Sequence, residues 1–405
     1  MQIGARYQAV LDLITEIFKN EQPADGIINE YLRSRKYIGS KDRRFISETV
    51  WQLVRNRRKL EFDSQSTDPR KILLFSAKDK LAEVFDGSTY GLTPLSAEEK
   101  IWLQQENDLP YPPDVEAECP DWIFAKIPDL EFCKALNRPA EADFRAHGHH
   151  REEVISRLIA EGIAAYPMPY APQGFRVRER FALGNCAAYQ EGWFEVQDEA
   201  SQIASLLCDV RPEHKIIDYC CGAGGKSLAL SDLLHNQGHI LSHDINAQRL
   251  ENIKPRIARL GVKNIELTDF VATTDRDFDR FIIDAPCSGT GTWRRAPDAK
   301  FRLTPQKLHG LTKIQAEILQ IGADKTKCGG RIIYITCSIL PEENEDIINA
   351  FLQEHPEFAP LDLAKLWEEK INAPYPHHNK NMLRMSPLTT NTDGFFITVL
   401  ENKQL

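Results

Sequence analysis

No stretch of the 405-residue chain is long and apolar enough to span a membrane, and no apolar run follows a basic start at the amino terminus. The expectation is a cytoplasmic protein with no membrane partner. Cys-x-x-Cys spacing is missing as well. The nine cysteines, at 119, 133, 186, 208, 220, 221, 287, 328 and 337, are odd in number, so neither a disulfide framework nor a zinc site is expected. Most read as small buried hydrophobes. An excess of positive charge is absent too. A net charge of −9 excludes wholesale coating of nucleic acid but permits a local basic face. Internal repeats and low-complexity tracts are lacking. What remains is an ordinary globular composition, 42% hydrophobic and 27% charged. Its length suits roughly two or three domains.

The amino-terminal part, 1–135, reads as an all-α domain. Val10, Ile14 and Phe18 recur at helical spacing, as do Phe45, Val50 and Leu53. Polar residues 63–68 read as loop, and short helices follow, broken by Asp86-Gly87-Ser88 and Pro110-Tyr111-Pro112-Pro113. Residues 33–59 form a basic run containing Arg43, Arg44, Arg57 and Arg58, opposed only by Asp42 and Glu48. Residues 136–197 read as a small α/β unit, with a helix over 151–161 and short strands at 163–166 and 175–178. Its His147-Gly-His149-His150 cluster lacks partner ligands, so a polar loop and no metal are expected there. From 198 to 405 strands at 215–219, 239–243, 263–267, 279–284, 330–336 and 394–400 alternate with helices. That pattern predicts a doubly wound parallel sheet, whose ligands sit outside the carboxyl ends of the strands.

One of those ends carries Lys215-Ile-Ile-Asp-Tyr-Cys-Cys-Gly-Ala-Gly-Gly-Lys-Ser227. A phosphate-binding loop would need glycine where Cys220 stands, and a dinucleotide fingerprint would need glycine at Ser227, so both motifs fail. The next strand ends in Asp244, placed for a ribose hydroxyl pair. A nucleoside cofactor without a cradled pyrophosphate points to S-adenosylmethionine. Two further tips are Asp284-Ala-Pro-Cys287-Ser-Gly and Thr336-Cys337-Ser338. Either cysteine alone reads as packing. Together, beside an adenosyl site, they read as catalytic.

These motifs resemble the Nop/Sun (RsmB-type) family of RNA cytosine-C5 methyltransferases. The family's Cys-Ala-Ala-Pro-Gly-Gly-Lys loop stands here as Cys220-Cys-Gly-Ala-Gly-Gly-Lys226, with Ala223 in place of proline. Asp-Ala-Pro-Cys-Ser is matched at 284–288, Thr-Cys-Ser and Pro-Glu-Glu-Asn-Glu at 336–345, and Asp393-Gly-Phe-Phe396 closes the pattern. Lys41-Asp-Arg43-Arg-Phe45 resembles the NusB-like RNA-binding domain of bacterial members. The family's Arg-x-Asn stands as Arg145-Ala-His147. The resemblance implies a NusB-like domain, a ferredoxin-like subdomain and a class I (Rossmann-like) methyltransferase domain. It implies Cys337 as nucleophile, Cys287 in product release, Asp284 on the target base and Lys226 ordering the site. It places S-adenosylmethionine on Cys220, Cys221, Gly222, Ala223, Gly224, Gly225, Lys226, Asp244, Asp269 and Asp284. RNA, foremost small-subunit ribosomal RNA, would meet Arg43, Arg44, Arg57, Arg58, Arg294 and Arg295. Transfer RNA is the near alternative, and a non-catalytic assembly factor is the alternative of another class. Glu342 and Glu343 are read as the acidic start of a helix. A monomer is expected.

Overall fold

The computed structural model describes residues 1–104, 109–179, 181–268, 278–377 and 379–403, which form two compact units. The first comprises Met1–Arg138 and Trp293–Leu303. It is helical, with Ile3–Lys19, Ala24–Ser34 and Ser40–Arg55 as its longest helices. Val10, Leu13, Ile14, Ile46, Val50 and Leu53 lie three or four apart on the inward faces and are at most 3% exposed. Asp68 caps the helix Pro69–Ser76 by accepting from the N–H groups of Arg70 and Lys71.

The inserted segment is bound tightly into this helical unit. Trp293 and Lys300 are buried. The Lys300 ammonium donates to the Glu118 carbonyl at 2.8 Å and to Asn137 Oδ1 at 3.0 Å. Asp298 accepts from the Ala24 N–H at 3.0 Å. Burial pulls the Lys300 pKa down to about 8, against the opposing pull of Glu118.

The second unit comprises Pro139–Thr292 and Thr304–Leu405. Of residues 136–197, expected as a domain of their own, 139–197 fall within it. Strands β1 (Ala142–Ala146), β2 (Ala165–Pro167), β3 (Gly174–Val177) and β4 (Phe194–Val196) form an antiparallel sheet in the order β2-β3-β1-β4. Among the described residues the larger sheet has eight strands: β5 (Lys215–Asp218), β6 (His239–Ser242), β7 (Ile265–Leu267), β8 (Phe278–Asp284), β9 (Thr326–Thr336), β10 (Phe358–Pro360), β11 (Met382–Met385) and β12 (Phe395–Asn402). Its order is β10-β12-β9-β8-β5-β6-β7, with β11 paired to β12.

Phe281, Ile282 and Ile283 of β8 and Ile332 to Ile335 of β9 are fully buried in unbroken apolar runs. Such runs suit parallel strands covered on both faces. Strands β6, β5, β8 and β9 run parallel, and β12 runs antiparallel to β9. Because β5 sits between β6 and β8, the winding reverses there. That reversal opens a crevice at the carboxyl ends of β5 and β8. Among the described residues no helix is long and apolar enough to cross a membrane.

Candidate active site

The turn after β5 lies at that crevice. Gly222 and Gly224 take positive φ of 56° and 81°, and the helix Gly225–Leu233 starts directly behind them without a side-chain cap. A Cβ on Gly224 would lie 1.9 Å from Ile253 Cδ1, so helix Ala247–Leu260 packs against bare backbone. At Gly222 and Gly225 a Cβ would meet nothing within 4 Å, which leaves the loop's outer face open to a ligand. Asp244, 8% exposed, accepts from the Gly222 N–H at 2.9 Å and the Asn246 N–H at 2.8 Å. Its carboxylate therefore ties the glycine turn to the tip of β6. Open backbone amides beside a fixed acidic group suit the amino-acid and ribose ends of an adenosyl cofactor. Asp244→Ala is expected to weaken S-adenosylmethionine binding by about tenfold or more while the fold survives, as calorimetry and circular dichroism would show.

Beneath the loop, Asp218 is fully buried at the end of β5. Its Oδ2 accepts from Ser227 Oγ at 2.6 Å, and Ser242 Oγ donates to Ser227 Oγ at 2.8 Å. Oδ1 has no hydrogen-bond partner among the described residues. Burial raises the Asp218 pKa to about 6; Ser227 and Lys226 pull against it and Asp284 pushes with it. A carboxyl raised in the fold binds its proton more tightly than in the unfolded chain. Stability from this group is thus present below the ordinary value of 3.8–4 and is lost as pH climbs through about 6. Asp218→Asn is expected to add on the order of 2 kcal/mol at about pH 7.5 and little at pH ~4, read by urea unfolding of the ligand-free protein.

Strands β8 and β9 are in parallel register, with Asp284 beside Ile335, so their tips emerge together. Cys287 and Cys337, fifty residues apart, bring their sulfurs to 3.4 Å, within hydrogen-bonding reach. Lys226, at the start of the helix behind the glycine turn, places its ammonium 2.6 Å from Asp284 Oδ2. Burial pulls Lys226 down, but Asp284, Asp218 and Cys337 outweigh it and hold the group above its usual range. The hydrogen bond to Cys287, then burial, then the Asp284 charge push the Cys337 thiol well up, against the pull of Lys226. Without a substrate Cys337 is therefore held as the thiol. The backbone holds that tip: Gly291 N–H donates to the Cys337 carbonyl at 2.9 Å, and Gly394 N–H to the Gly291 carbonyl at 2.8 Å. A Cβ on Gly291 would lie 2.0 Å from the Gly394 carbonyl oxygen, which explains a glycine in each strand-end motif.

A glycine turn over an acidic strand tip, with two thiols and a Lys–Asp pair at adjacent tips, is an arrangement with known relatives. Residues 205–401 match the family described as 16S rRNA methyltransferase RsmB/F. The probable ribosomal RNA small subunit methyltransferase B of Bacillus subtilis is 31% identical over 304 residues, covering 71% of this chain and 67% of that protein. The chain belongs to the RsmB/F methyltransferase family. A ribosomal RNA small subunit methyltransferase B of Yersinia pestis is 34% identical over 251 residues, 59% of this chain and 58% of that protein. The crystal structure of PH0851 shares the fold, with a TM-score of 0.75, 22% identity and 98% of each chain covered. As an RsmB/F protein the chain is a methyltransferase that depends on S-adenosylmethionine.

The other sequence expectations for this RsmB/F chain fall in several places. Cys220 is half-buried and Cys221 buried; burial raises both thiols, so in this state they are packing groups under the loop. Ala223 lends its carbonyl to the Arg256 guanidinium. Asp269 lies outside the described residues. Arg43 donates to the carbonyls of Ile38 and Arg35, Arg57 pairs with Glu61 and sits over the rings of Phe18 and Phe301, and Arg58 pairs with Asp114. Arg44 pairs with Glu48 in an exposed, one-turn salt bridge. Arg294 is buried and Arg295 half-buried in the helical unit.

Two expectations are corrected. Residues 147–150 do form the loop before helix Arg151–Ala160, but His147 is not a solvated polar group of it: it is buried, with its ring nitrogens 2.5 Å from Asp232 and 2.8 Å from the Leu260 carbonyl. Arg145, beside it, is buried against Asp232 and Gln197. Glu343 does not open a helix at its exposed end. The helix begins at Glu345, and Glu343 is fully buried in the turn Pro341–Glu343, bonded to both cysteine loops. The signal for it was present in the Pro-Glu-Glu-Asn motif, as was that for Asp218 in the glycine stretch. Neither spacing says which acid turns inward.

Proposed function

We propose that this protein transfers a methyl group to carbon 5 of a cytosine in small-subunit ribosomal RNA. The observation that carries the reading is the 3.4 Å approach of Cys287 and Cys337 beside the Lys226–Asp284 pair. Carbon 5 of cytosine is a poor nucleophile, and covalent addition at carbon 6 splits one hard step into easier ones. Cys337 gives up its proton to solvent and its sulfur bonds to carbon 6, so the electrons of the ring double bond move to carbon 5. When bound, S-adenosylmethionine supplies an electrophilic methyl to that carbon. A base then takes the carbon 5 proton, the double bond re-forms and the bond to Cys337 breaks. Cys287, in hydrogen-bond reach of the departing sulfur, stabilises it as it leaves. Asp284 keeps Oδ1 for the amino and ring-nitrogen edge of the base while Lys226 holds Oδ2.

Gly222, Gly224, Gly225 and Lys226 would hold the methionine end of the cofactor, Asp244 the ribose, and Cys220, Cys221 and Ala223 would form the floor of the loop. Asp269 would complete the adenine side. For the RNA, the basic run supplies Arg44 at the surface; Arg43, Arg57, Arg58, Arg294 and Arg295 would act mainly by shaping the basic face. The helical unit is read as a NusB-like RNA-binding domain. The small sheet is read as ferredoxin-like, a reading supported by its order β2-β3-β1-β4 around the helix Arg151–Ala160. The ribosomal substrate is supported by the names of the relatives. The test is transfer of labelled methyl to 16S RNA followed by bisulfite sequencing. One new protected cytosine is expected in 16S RNA. Label confined to transfer RNA would move the substrate, and label on another base or none would remove the reading.

A further inference from the structure

We infer that Glu343 is a positioning residue that locks the two cysteine loops together, and so sets the sulfur-to-sulfur distance on which release of the methylated base depends. The inference rests on the roles proposed above for Cys287 and Cys337. Glu343 is 0% exposed. Its carboxylate accepts from the Ser288 N–H at 2.8 Å, from Ser288 Oγ at 2.5 Å, from Gln315 Nε2 at 3.0 Å and from Ser338 Oγ. Ser288 follows Cys287 in the chain, and Ser338 follows Cys337. One carboxylate therefore grips the residue after each cysteine. Gln315 also donates to the Pro286 carbonyl at 3.0 Å, so the backbone is tied on both sides of Cys287.

The second cysteine is bracketed in the same way by the next residue. Asn344 Oδ1 accepts from Thr336 Oγ1 at 2.6 Å, and Asn344 Nδ2 donates to the Ser338 carbonyl at 2.9 Å. Burying a carboxylate is costly, and the hydrogen-bond partners of this one are all neutral. What it does supply is reach. Four donors from two loops and a helix converge on two oxygens, which serine, alanine or a solvated acid would not hold at once. Residues outside the reacting atoms matter at this precision, because a misplacement of about 1 Å costs roughly 10²-fold in rate.

The test compares Glu343→Gln and Glu343→Ala in the full chain, both in a Cys328→Ser background that removes the exposed thiol. The first readout is disulfide closure of Cys287 with Cys337 by oxidised glutathione. Closure takes two protons and two electrons from the pair and returns two reduced glutathione molecules. The Gln side chain keeps the shape, accepts from Ser288 N–H and donates to the serine hydroxyls, so closure within about threefold of the parent is expected. Glu343→Ala is expected to close at least ~10-fold more slowly. The second readout is methyl transfer. Glu343→Ala is expected to lose ~10²-fold in kcat with little change in KM, and to accumulate the covalent RNA complex expected of Cys287→Ala. Glu343→Gln should recover most of that loss. Closure by Glu343→Ala as fast as the parent overturns the inference. So does slow closure shared equally by Glu343→Gln, or accompanied by lost S-adenosylmethionine binding, since either marks general loosening. If Cys287→Ala traps no RNA, the cysteine roles fail, and the closure rates still judge Glu343 alone.

Discussion

Cys287→Ala protein incubated with 16S RNA and S-adenosylmethionine is expected to give an RNA–protein complex that survives denaturing electrophoresis, whereas Cys337→Ala gives none. Both variants should lose turnover by roughly 10²–10⁴-fold or more, but at opposite ends of the reaction. Without the Cys337 sulfur no bond to carbon 6 forms, so nothing is trapped. Without Cys287 the bond forms and methyl transfer proceeds. The departing sulfur then lacks the thiol that lies 3.4 Å from it. A complex formed by Cys337→Ala would reverse the two roles. Full activity in both variants would remove the covalent route. The same geometry fixes a pH dependence. Cys287, burial and Asp284 hold the Cys337 proton on, so the thiolate is scarce near neutrality. The thiolate fraction rises about tenfold per pH unit below the thiol's pKa. The rate of complex formation by Cys287→Ala, which lacks the first-named of these influences, should therefore level off at a lower pH than parental turnover. Iodoacetamide labelling near neutrality should reach the exposed Cys328 before Cys337 in the parent protein.

How far the site was legible before the fold follows from where its residues sit. Asp284, Cys287, Cys337 and Lys226 lie in or beside strand–turn motifs, and strand type is readable from apolar runs such as Phe281-Ile-Ile-Asp284. Parallel register then does the rest, since it brings tips fifty residues apart to one edge. What stayed hidden depends on contacts that no local pattern encodes. Glu343 and Asp218 are acids in polar-looking turns, and only the fold turns them inward. Strand β1, Ala-Asp-Phe-Arg-Ala, alternates apolar and charged residues but is only five residues long and rich in Ala and Asp, which favour strands poorly, and the burial of Asp143 and Arg145 is invisible in sequence. Their partners Arg176 and Asp232 come from distant segments. The allegiance of 293–303 to the helical unit is a further case. It rests on Lys300 and Asp298, whose partners Glu118 and Ala24 lie more than 180 residues away. The basic run shows the reverse limit. Charge clustering is visible in sequence, but Arg43, Arg57 and Arg58 turn out to be occupied internally.

Asp284→Ala is expected to abolish methyl transfer and to destabilise the protein, and the two losses should separate in a second variant. Lys226 is almost fully buried, and its ammonium lies 2.6 Å from Asp284 and 5.5 Å from the Phe395 ring centroid. Removing the aspartate leaves a buried cation with one compensating acid fewer. Such losses cost about 3–5 kcal/mol for fully buried pairs. The Asp284 side chain is 36% exposed, so solvent screening reduces the figure here to on the order of 2 kcal/mol. Lys226→Met combined with Asp284→Ala removes both charges and keeps an unbranched chain in the cavity. Its urea midpoint should return towards that of the parent protein, while methyl transfer stays at background. The stability term also has a pH signature. Lys226 is raised above its ordinary 10.5, so its contribution is fully present below that value and is lost only as pH climbs beyond it. Between about pH 6 and 9 the Asp284→Ala penalty should be flat, unlike the Asp218 effect, which changes between pH ~4 and 6. A double variant as unstable as Asp284→Ala would mean that Lys226 was not the source of the cost. Recovery of activity along with stability would show that the pair holds the fold and takes no part in the chemistry.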